Sequence, residues 1–269
     1  MAAQQQDWLG LAGKICVITG AGGGIGTAMA TGFSAVGARV VLLDRNAELL
    51  AITAAEVAKV AGQSPPVFVC DVAEQSQVAA AAAGSLSAVG PCDILINNAG
   101  LLRSGGLADL DLAAWNALLA VNLTGYFLCA QAFGAQMRAS GAGAVVHVAS
   151  IAGSHPQALS GAYSVSKAGV VMLSRQLATE WGPLGIRSNV VSPGLVETPM
   201  SAPFYAVPGV RERRSAAVPA GRIGAPVDIA DAAIFLASAR AGYVTGEEIG
   251  VNGGFAGALM GLIPRPGYE

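Results

Sequence analysis

The chain has 269 residues, of which 53 % are hydrophobic and 12 % charged, with a formal net charge of −2 and a sequence pI of about 5.7. So apolar a composition excludes a disordered chain, and glycine scattered without a period excludes a collagen-like one. No basic stripe is present to neutralise phosphates, so nucleic acid is not an expected partner.

Residues 1–14 lack a cationic start followed by an apolar run, so no secretory leader is expected and a cytoplasmic location is. From there strand-like and helix-like segments alternate. A strand over 15–19 precedes a helix over 24–36. A strand over 39–44 (RVVLLD) precedes a helix over 47–61, which Gly62 stops. A strand over 67–70, an Ala-rich helix over 73–87 and a strand over 93–97 (DILIN) follow. Next come a long helix around 112–138, a strand over 144–149 (AVVHVA), a helix over 162–181 and a strand over 186–191. A helix over 227–238 and a short strand over 248–251 close the series.

Apolar runs without polar alternation mark strands covered on both faces, and their alternation with helices marks repeated right-handed βαβ units. The expected fold is α/β: a Rossmann-type, doubly wound parallel sheet of about seven strands with helices on both faces. One domain is expected over 1–269, with a Pro- and Gly-rich substrate loop at about 194–224. Residues 112–137 carry no charge and are long enough to span a bilayer. Asn116, Asn122, Thr124, Gln131 and Gln136 interrupt them, so a helix buried on several faces is expected instead, and no membrane.

Thr19-Gly20-Ala21-Gly22-Gly23-Gly24-Ile25-Gly26 joins the first strand to the first helix. Glycine there permits a tight turn, lets a pyrophosphate reach backbone N–H groups, and places it at a helix N-terminus. The Gly-Lys-Ser/Thr of a nucleotide triphosphatase loop is missing. Asp44 ends the second strand, 18 residues beyond Gly26. A carboxylate there accepts both ribose hydroxyls of an adenosine and repels a 2′-phosphate, which favours NAD over NADP. Arg45 beside it pulls the other way, since a guanidinium suits a phosphate.

Three further motifs stand in order: Asn97-Asn98-Ala99-Gly100 after the fourth strand, Ser150 after the fifth, and Tyr163-Ser-Val-Ser-Lys167, with 13 residues from Ser150 to Tyr163. Together with Thr19–Gly26 they resemble the short-chain dehydrogenase/reductase family, over about residues 11–254. The resemblance implies hydride transfer between NAD(H) and an alcohol or ketone, with Ser150, Tyr163, Lys167 and Asn122 as the catalytic set. Tyr163 would donate or accept the proton at the substrate oxygen, but its free pKa of about 10 is too high for a base near neutrality. Lys167, one helical turn on, is expected to lower it by favouring the phenolate. Ser150 would hydrogen-bond the substrate oxygen. In the family the Lys also holds the nicotinamide ribose, and the Asn anchors a water that links the Lys to solvent.

The resemblance further implies Gly20, Gly24, Ile25, Gly26, Asp44 and Arg45 as dinucleotide contacts. It adds Asp71 and Val72 at the adenine, Asn98, Ala99 and Gly100 beside the ribose, and Pro193, Gly194, Val196 and Thr198 at the nicotinamide amide. Many NADP-using relatives carry Arg or Lys in the glycine loop, and Gly23 supplies no charge.

Leu101, Leu102, Pro156, Leu159, Met200, Phe204 and Tyr205 suggest a moderately apolar substrate pocket. His155 is expected as a solvated loop residue and His147 as a satisfied core residue. Arg211, Arg213 and Arg214 read first as solvated charges, and second as contacts for an anionic substrate or an acyl carrier protein. Cys16, Cys70, Cys92 and Cys129 form no C-x-x-C pair; a zinc or disulfide site is not expected, and three of them read as small buried hydrophobes. A homodimer or homotetramer through the two long helices is expected, with residues 260–269 crossing a subunit boundary. Two alternatives remain open: an NADPH-dependent 3-oxoacyl thioester reductase and a dinucleotide-sensing, non-catalytic regulator.

Overall fold

The computed structural model describes residues 7–259, so the 260–269 tail lies outside the described residues. Strands β1 (Ile15–Thr19), β2 (Arg39–Asp44), β3 (Val67–Val69), β4 (Ile94–Asn97), β5 (Gly143–Val148), β6 (Ile186–Pro193) and β7 (Glu248–Val251) form one sheet. Their order is β3-β2-β1-β4-β5-β6-β7, and every neighbouring pair is parallel.

Successive side chains of the central strands enter opposite cores. Ile18, Leu42, Ile96 and Val146 face one side. There they meet Met29 and Phe33 of α1 (Gly24–Ala35) and Ile234 of α9 (Pro226–Ala237). Val17, Val41, Leu95 and Val145 face the other, against Phe133 and Met137 of α5 (Gly125–Ser140) and Leu177 of α6 (Tyr163–Trp181). Two covered faces leave no polar face on the central strands, which is why they read as continuous apolar runs. Each large side chain so buried contributes about 1.5–3 kcal/mol.

The remaining helices are α2 (Ala47–Ala61), α3 (Gln75–Val89), α4 (Leu112–Leu119), α7 (Ala202–Tyr205) and α8 (Val210–Ala217). Caps set their ends. Asn46 and Asp111 accept hydrogen bonds from Leu49 N and Ala114 N at the starts of α2 and α4, and Gly62 ends α2 at φ +73°.

Strand order reverses direction at β1 and β4, so their C-terminal ends open a crevice that the crossing helices do not cover. Asn98 Nδ2 donates to Thr19 O and Gly20 O at 3.1 and 3.0 Å, and Thr19 Oγ1 accepts from Asn98 N and Ala99 N. These bonds lock the two strand ends together at that crevice.

Several expectations change. The single helix over 112–138 is α4, a π turn over Ala120–Thr124 and α5. A π turn widens a helix locally, and hydropathy does not encode it. Leu112–Ser140 is 29 residues long and apolar enough to cross a membrane, but only 28 % of its most apolar window is buried. One face packs, through Leu118, Tyr126, Phe133 and Met137, and the burial on several faces expected for it is absent. Asp93 precedes β4 rather than opening it. Its backbone still bonds to both neighbours, N–H to Ile15 O and carbonyl from Ala144 N, each at 3.0 Å, while its carboxylate accepts from Ile15 N at 2.9 Å and Lys14 Nζ at 3.0 Å. The 194–224 segment is not a plain loop but carries α7 and α8.

Candidate active site

The glycine turn is shaped by close approach. Gly20 has φ +63°, and a Cβ there would stand 2.6 Å from Ala99 Cα. A Cβ on Gly26 would stand 2.1 Å from Gly20 O. Only glycine fits both places, and the result is bare backbone at the N-terminus of α1, suited to a pyrophosphate. Asp44 meets this turn directly: Oδ2 accepts from Gly22 N and Oδ1 from Asn46 N, both at 3.0 Å.

From Asp44 a cavity of about 520 Å³ runs past Asp71, Val72 and Gly100 to Ser150, Tyr163 and Lys167. It fits a dinucleotide: a helix N-terminus, a carboxylate at the second strand and apolar walls succeed one another along it. Gly20, Gly24, Ile25, Gly26, Arg45, Asn98, Ala99, Pro193, Gly194, Val196 and Thr198 also line it. Every predicted catalytic and dinucleotide-binding residue except Asn122 therefore lines one cavity. The side chain of Asn98 is turned to Thr19 O and Gly20 O, so it holds the turn.

Ser150 follows β5 and caps a 3-10 turn, Ile151–Gly153, by accepting from Ala152 N at 3.1 Å. That turn presses on α6, where a Cβ on Gly153 would lie 2.9 Å from Lys167 C. Ser150 is thereby brought beside the first turn of α6, which presents Tyr163 and, one turn on, Lys167. Lys167 Nζ sits 5.8 Å from the centroid of the Tyr163 ring. It donates to Val148 O at 2.8 Å and to Tyr126 Oη at 3.3 Å.

Electrostatics here differ from the expectation. Burial pushes the Tyr163 phenol above its ordinary value, opposed by a side-chain hydrogen bond with Ser150. Burial also pulls Lys167 down from 10.5 to about 7. The net shift of the phenol is upward because burial is its largest influence, and Lys167 Nζ is bonded to Val148 O and Tyr126 rather than to the phenol. A phenol so raised is held protonated near neutrality, as a proton donor must be.

Asn122 lies in the π turn, fully buried. Its Oδ1 accepts from Leu101 N at 2.7 Å, and its Nδ2 donates to Leu101 O at 2.9 Å and Ser166 Oγ at 3.2 Å. This amide fastens the chain after Gly100 to α6, which fits the need of a buried amide for partners.

Tyr126, four residues on from Asn122, is a residue the sequence reading missed. Its Oη donates to Val148 O at 2.9 Å. A tyrosine inside an apolar helix needs a partner for its hydroxyl, which was the available signal. Its ring stacks on His147 at 5.8 Å. His147 is half satisfied: Nδ1 lies 3.3 Å from Asn97 Nδ2, while Nε2 has no partner. Burial, with the Lys167 charge, lowers its pKa to about 3.

Leu101, Leu102, Met200, Phe204 and Tyr205 line the cavity, whereas Pro156, Leu159 and His155 do not; Gln157 and Arg214 do. The 154–161 loop turns His155 outward and Gln157 inward, an orientation that no sequence period specifies. All four cysteines are buried and unpaired.

Comparison with known proteins decides the family. A family model described as enoyl-(acyl carrier protein) reductase matches residues 20–256. Galactitol 2-dehydrogenase (L-tagatose-forming) of Cereibacter sphaeroides is 42 % identical over 91 % of this chain and 96 % of its own length. The chain belongs to the short-chain dehydrogenase/reductase family. D-threitol dehydrogenase of Mycolicibacterium smegmatis is 39 % identical over 91 % of this chain and 94 % of its own. Among solved structures, a gluconate 5-dehydrogenase from Burkholderia cenocepacia in complex with NADP and tartrate is similar. It superposes with a TM-score of 0.88 at 36 % identity, over 94 % of this chain and 98 % of its own. This short-chain dehydrogenase is an oxidoreductase that uses a nicotinamide dinucleotide to move hydride to or from the carbon bearing an alcohol or ketone oxygen.

Proposed function

We propose that the enzyme interconverts a small secondary alcohol and its ketone with NAD(H), using Tyr163 as proton donor and acceptor. When bound, the nicotinamide supplies or receives the hydride. Asp44 would hold the adenosine ribose, Asp71 and Val72 the adenine, the turn at Gly20–Gly26 the pyrophosphate, and Pro193–Thr198 the nicotinamide amide. Ser150 steadies the substrate oxygen, and Tyr163 Oη, protonated near neutrality, gives it a proton on reduction; oxidation runs the same transfer in reverse from the phenolate form, so it is favoured at high pH. Lys167, with a pKa of about 7, is poised to pass that proton on. Asn122 acts through Leu101 and Ser166 as a positioning residue.

One observation carries this reading: Ser150, Tyr163 and Lys167 converge at one end of the cavity whose other end is the glycine turn and Asp44. The named relatives act on galactitol and D-threitol, so a small alcohol suits the cavity. The NADPH-dependent reductase is the second reading, supported by the NADP in the Burkholderia enzyme and by Arg45 in the cavity wall. Asp44, aimed at Gly22, favours NAD because its charge opposes a 2′-phosphate.

We further propose a single dinucleotide-binding unit over 1–269 with its substrate segment at 194–224, located in the cytoplasm. A homodimer or homotetramer through α4–α5 and α6 is supported by the exposed Leu112, Phe127, Val165 and Met172.

The test is steady-state kinetics with both dinucleotides, following reduced nicotinamide by absorbance over a panel of small alcohols. We expect NAD to be preferred, and Asp44→Ala to cut that preference about tenfold or more, the worth of a hydrogen bond to a charged group. A wild-type preference for NADP contradicts the assignment of NAD.

A further inference from the structure

The three arginines of α8 have three different surroundings. Arg211 is exposed and paired with Glu197, and its guanidinium carbon also stands 5.2 Å from the Tyr205 ring centroid. Arg213 is exposed. Arg214 is half-buried and turned into the cavity that holds Ser150 and Tyr163. Its guanidinium carbon stands 5.1 Å from the centroid of Phe204 and 5.3 Å from that of Tyr205. The ion pairs among the described residues are Lys14–Asp93, Lys59–Glu56, Arg211–Glu197 and Arg222–Asp228, so Arg214 has no carboxylate.

A second observation is independent of the first. The Tyr205 hydroxyl is buried without a hydrogen-bond partner, and Tyr205 lines the same cavity. Buried hydroxyls are normally paired, so an unpaired one requires an explanation, which a group bound against it would supply. A guanidinium stacked on two aromatic rings keeps its N–H edge free, and that edge matches a carboxylate with two parallel bonds. The acidic residues in the cavity wall, Asp44 and Asp71, belong to the adenosine end by the reading above. Lys167, also in the cavity wall, is committed to Val148 O and Tyr126.

We propose that Arg214 and Tyr205 form a subsite for an anionic group carried by the alcohol substrate, which makes the substrate a hydroxycarboxylate rather than a neutral polyol. This rests on reading the cavity as the site of alcohol oxidation. Bound there, the carboxylate joins α7 to α8 across the mouth of the cavity and fixes the distance between the anionic group and the carbinol carbon at Tyr163. The alternative anion, the dinucleotide pyrophosphate, already has the backbone of the glycine turn and the N-terminus of α1.

The test uses a panel of hydroxycarboxylates, with the hydroxyl two to five carbons from the carboxylate, each paired with its primary amide, together with neutral polyols. The ratio of kcat/KM for acid over amide cancels differences in active protein. For the best pair we expect wild type to prefer the acid at least tenfold. Arg214→Gln should lower that ratio at least tenfold, Arg214→Lys should keep part of it, and Tyr205→Phe should lower it severalfold. Added salt should reduce the wild-type ratio. Three results overturn the subsite: amides preferred in every pair, an Arg214→Gln ratio equal to wild type, or a loss confined to the KM for NAD. Turnover of polyols but of no acid defeats the subsite while leaving alcohol oxidation standing. No turnover of polyols, acids or amides defeats both.

Discussion

Lys167 and Tyr126 share one acceptor. Lys167 Nζ donates to Val148 O at 2.8 Å, Tyr126 Oη donates to the same oxygen at 2.9 Å, and the two lie 3.3 Å apart. The end of β5 thus holds a lysine that is 3 % exposed and has no carboxylate partner. That placement explains its pKa of about 7: two neutral dipoles replace water poorly around an ammonium.

The lowered pKa is a statement about stability. Below pH 7 both folded and unfolded chains hold the proton, and the folded one bears the full cost of the buried charge. Between about 7 and 10.5 the unfolded chain binds more protons, so stability rises with pH across that window. Lys167→Met removes this dependence. Its stability relative to wild type should therefore be highest near pH 6 and fall as pH rises to about 10, by roughly 1.4 kcal/mol for each pH unit within the window. Denaturant unfolding over a pH series measures it, and a difference that does not vary with pH contradicts the buried-ammonium account.

The Asn122 side chain makes three hydrogen bonds to its neighbours. Asn122→Ala leaves Leu101 N and O unpaired, at a cost of about 2–3 kcal/mol. Equilibrium unfolding should show that loss together with weaker turnover. Full stability with turnover abolished would instead assign the amide a direct part in the chemistry.

Arg187 closes the C-terminal end of α9. Its two terminal nitrogens donate to Leu236 O, Ala237 O, Ser238 O and Val244 O at 2.7 to 3.3 Å. A cation there satisfies carbonyls left open by the helix and complements its dipole. Arg187→Met should lower unfolding free energy by about 2–4 kcal/mol, with the NAD preference over NADP unchanged. A variant as stable as wild type would show those bonds to be dispensable.

Much of this was legible in the chain because each signal was local. The apolar strand runs, the glycine turn, Asp44 and the i,i+4 pair Tyr163–Lys167 depend on backbone period and on single-residue chemistry. The features that escaped depend on tertiary contact. The π turn at Asn122, the inward turn of Gln157 and the bonding of Lys167 to Val148 are set by elements far apart in sequence. The direction of the Tyr163 pKa shift was missed for the same reason. Spacing shows that Lys167 is close, but only packing shows that water is excluded from both. In sequence Arg214 reads as a charge on a loop; the helix that turns it inward, α8, is set by tertiary packing.

Proton transfer by Tyr163 is the central claim, and Tyr163→Phe tests it most directly. The variant keeps the ring, so NADH binding, followed by fluorescence titration, should stay within about threefold of wild type, whereas kcat for alcohol oxidation should fall by roughly 100-fold to 10,000-fold, the range of general acid–base catalysis. A Tyr163→Phe enzyme that binds NADH and turns over at the wild-type rate would contradict the account.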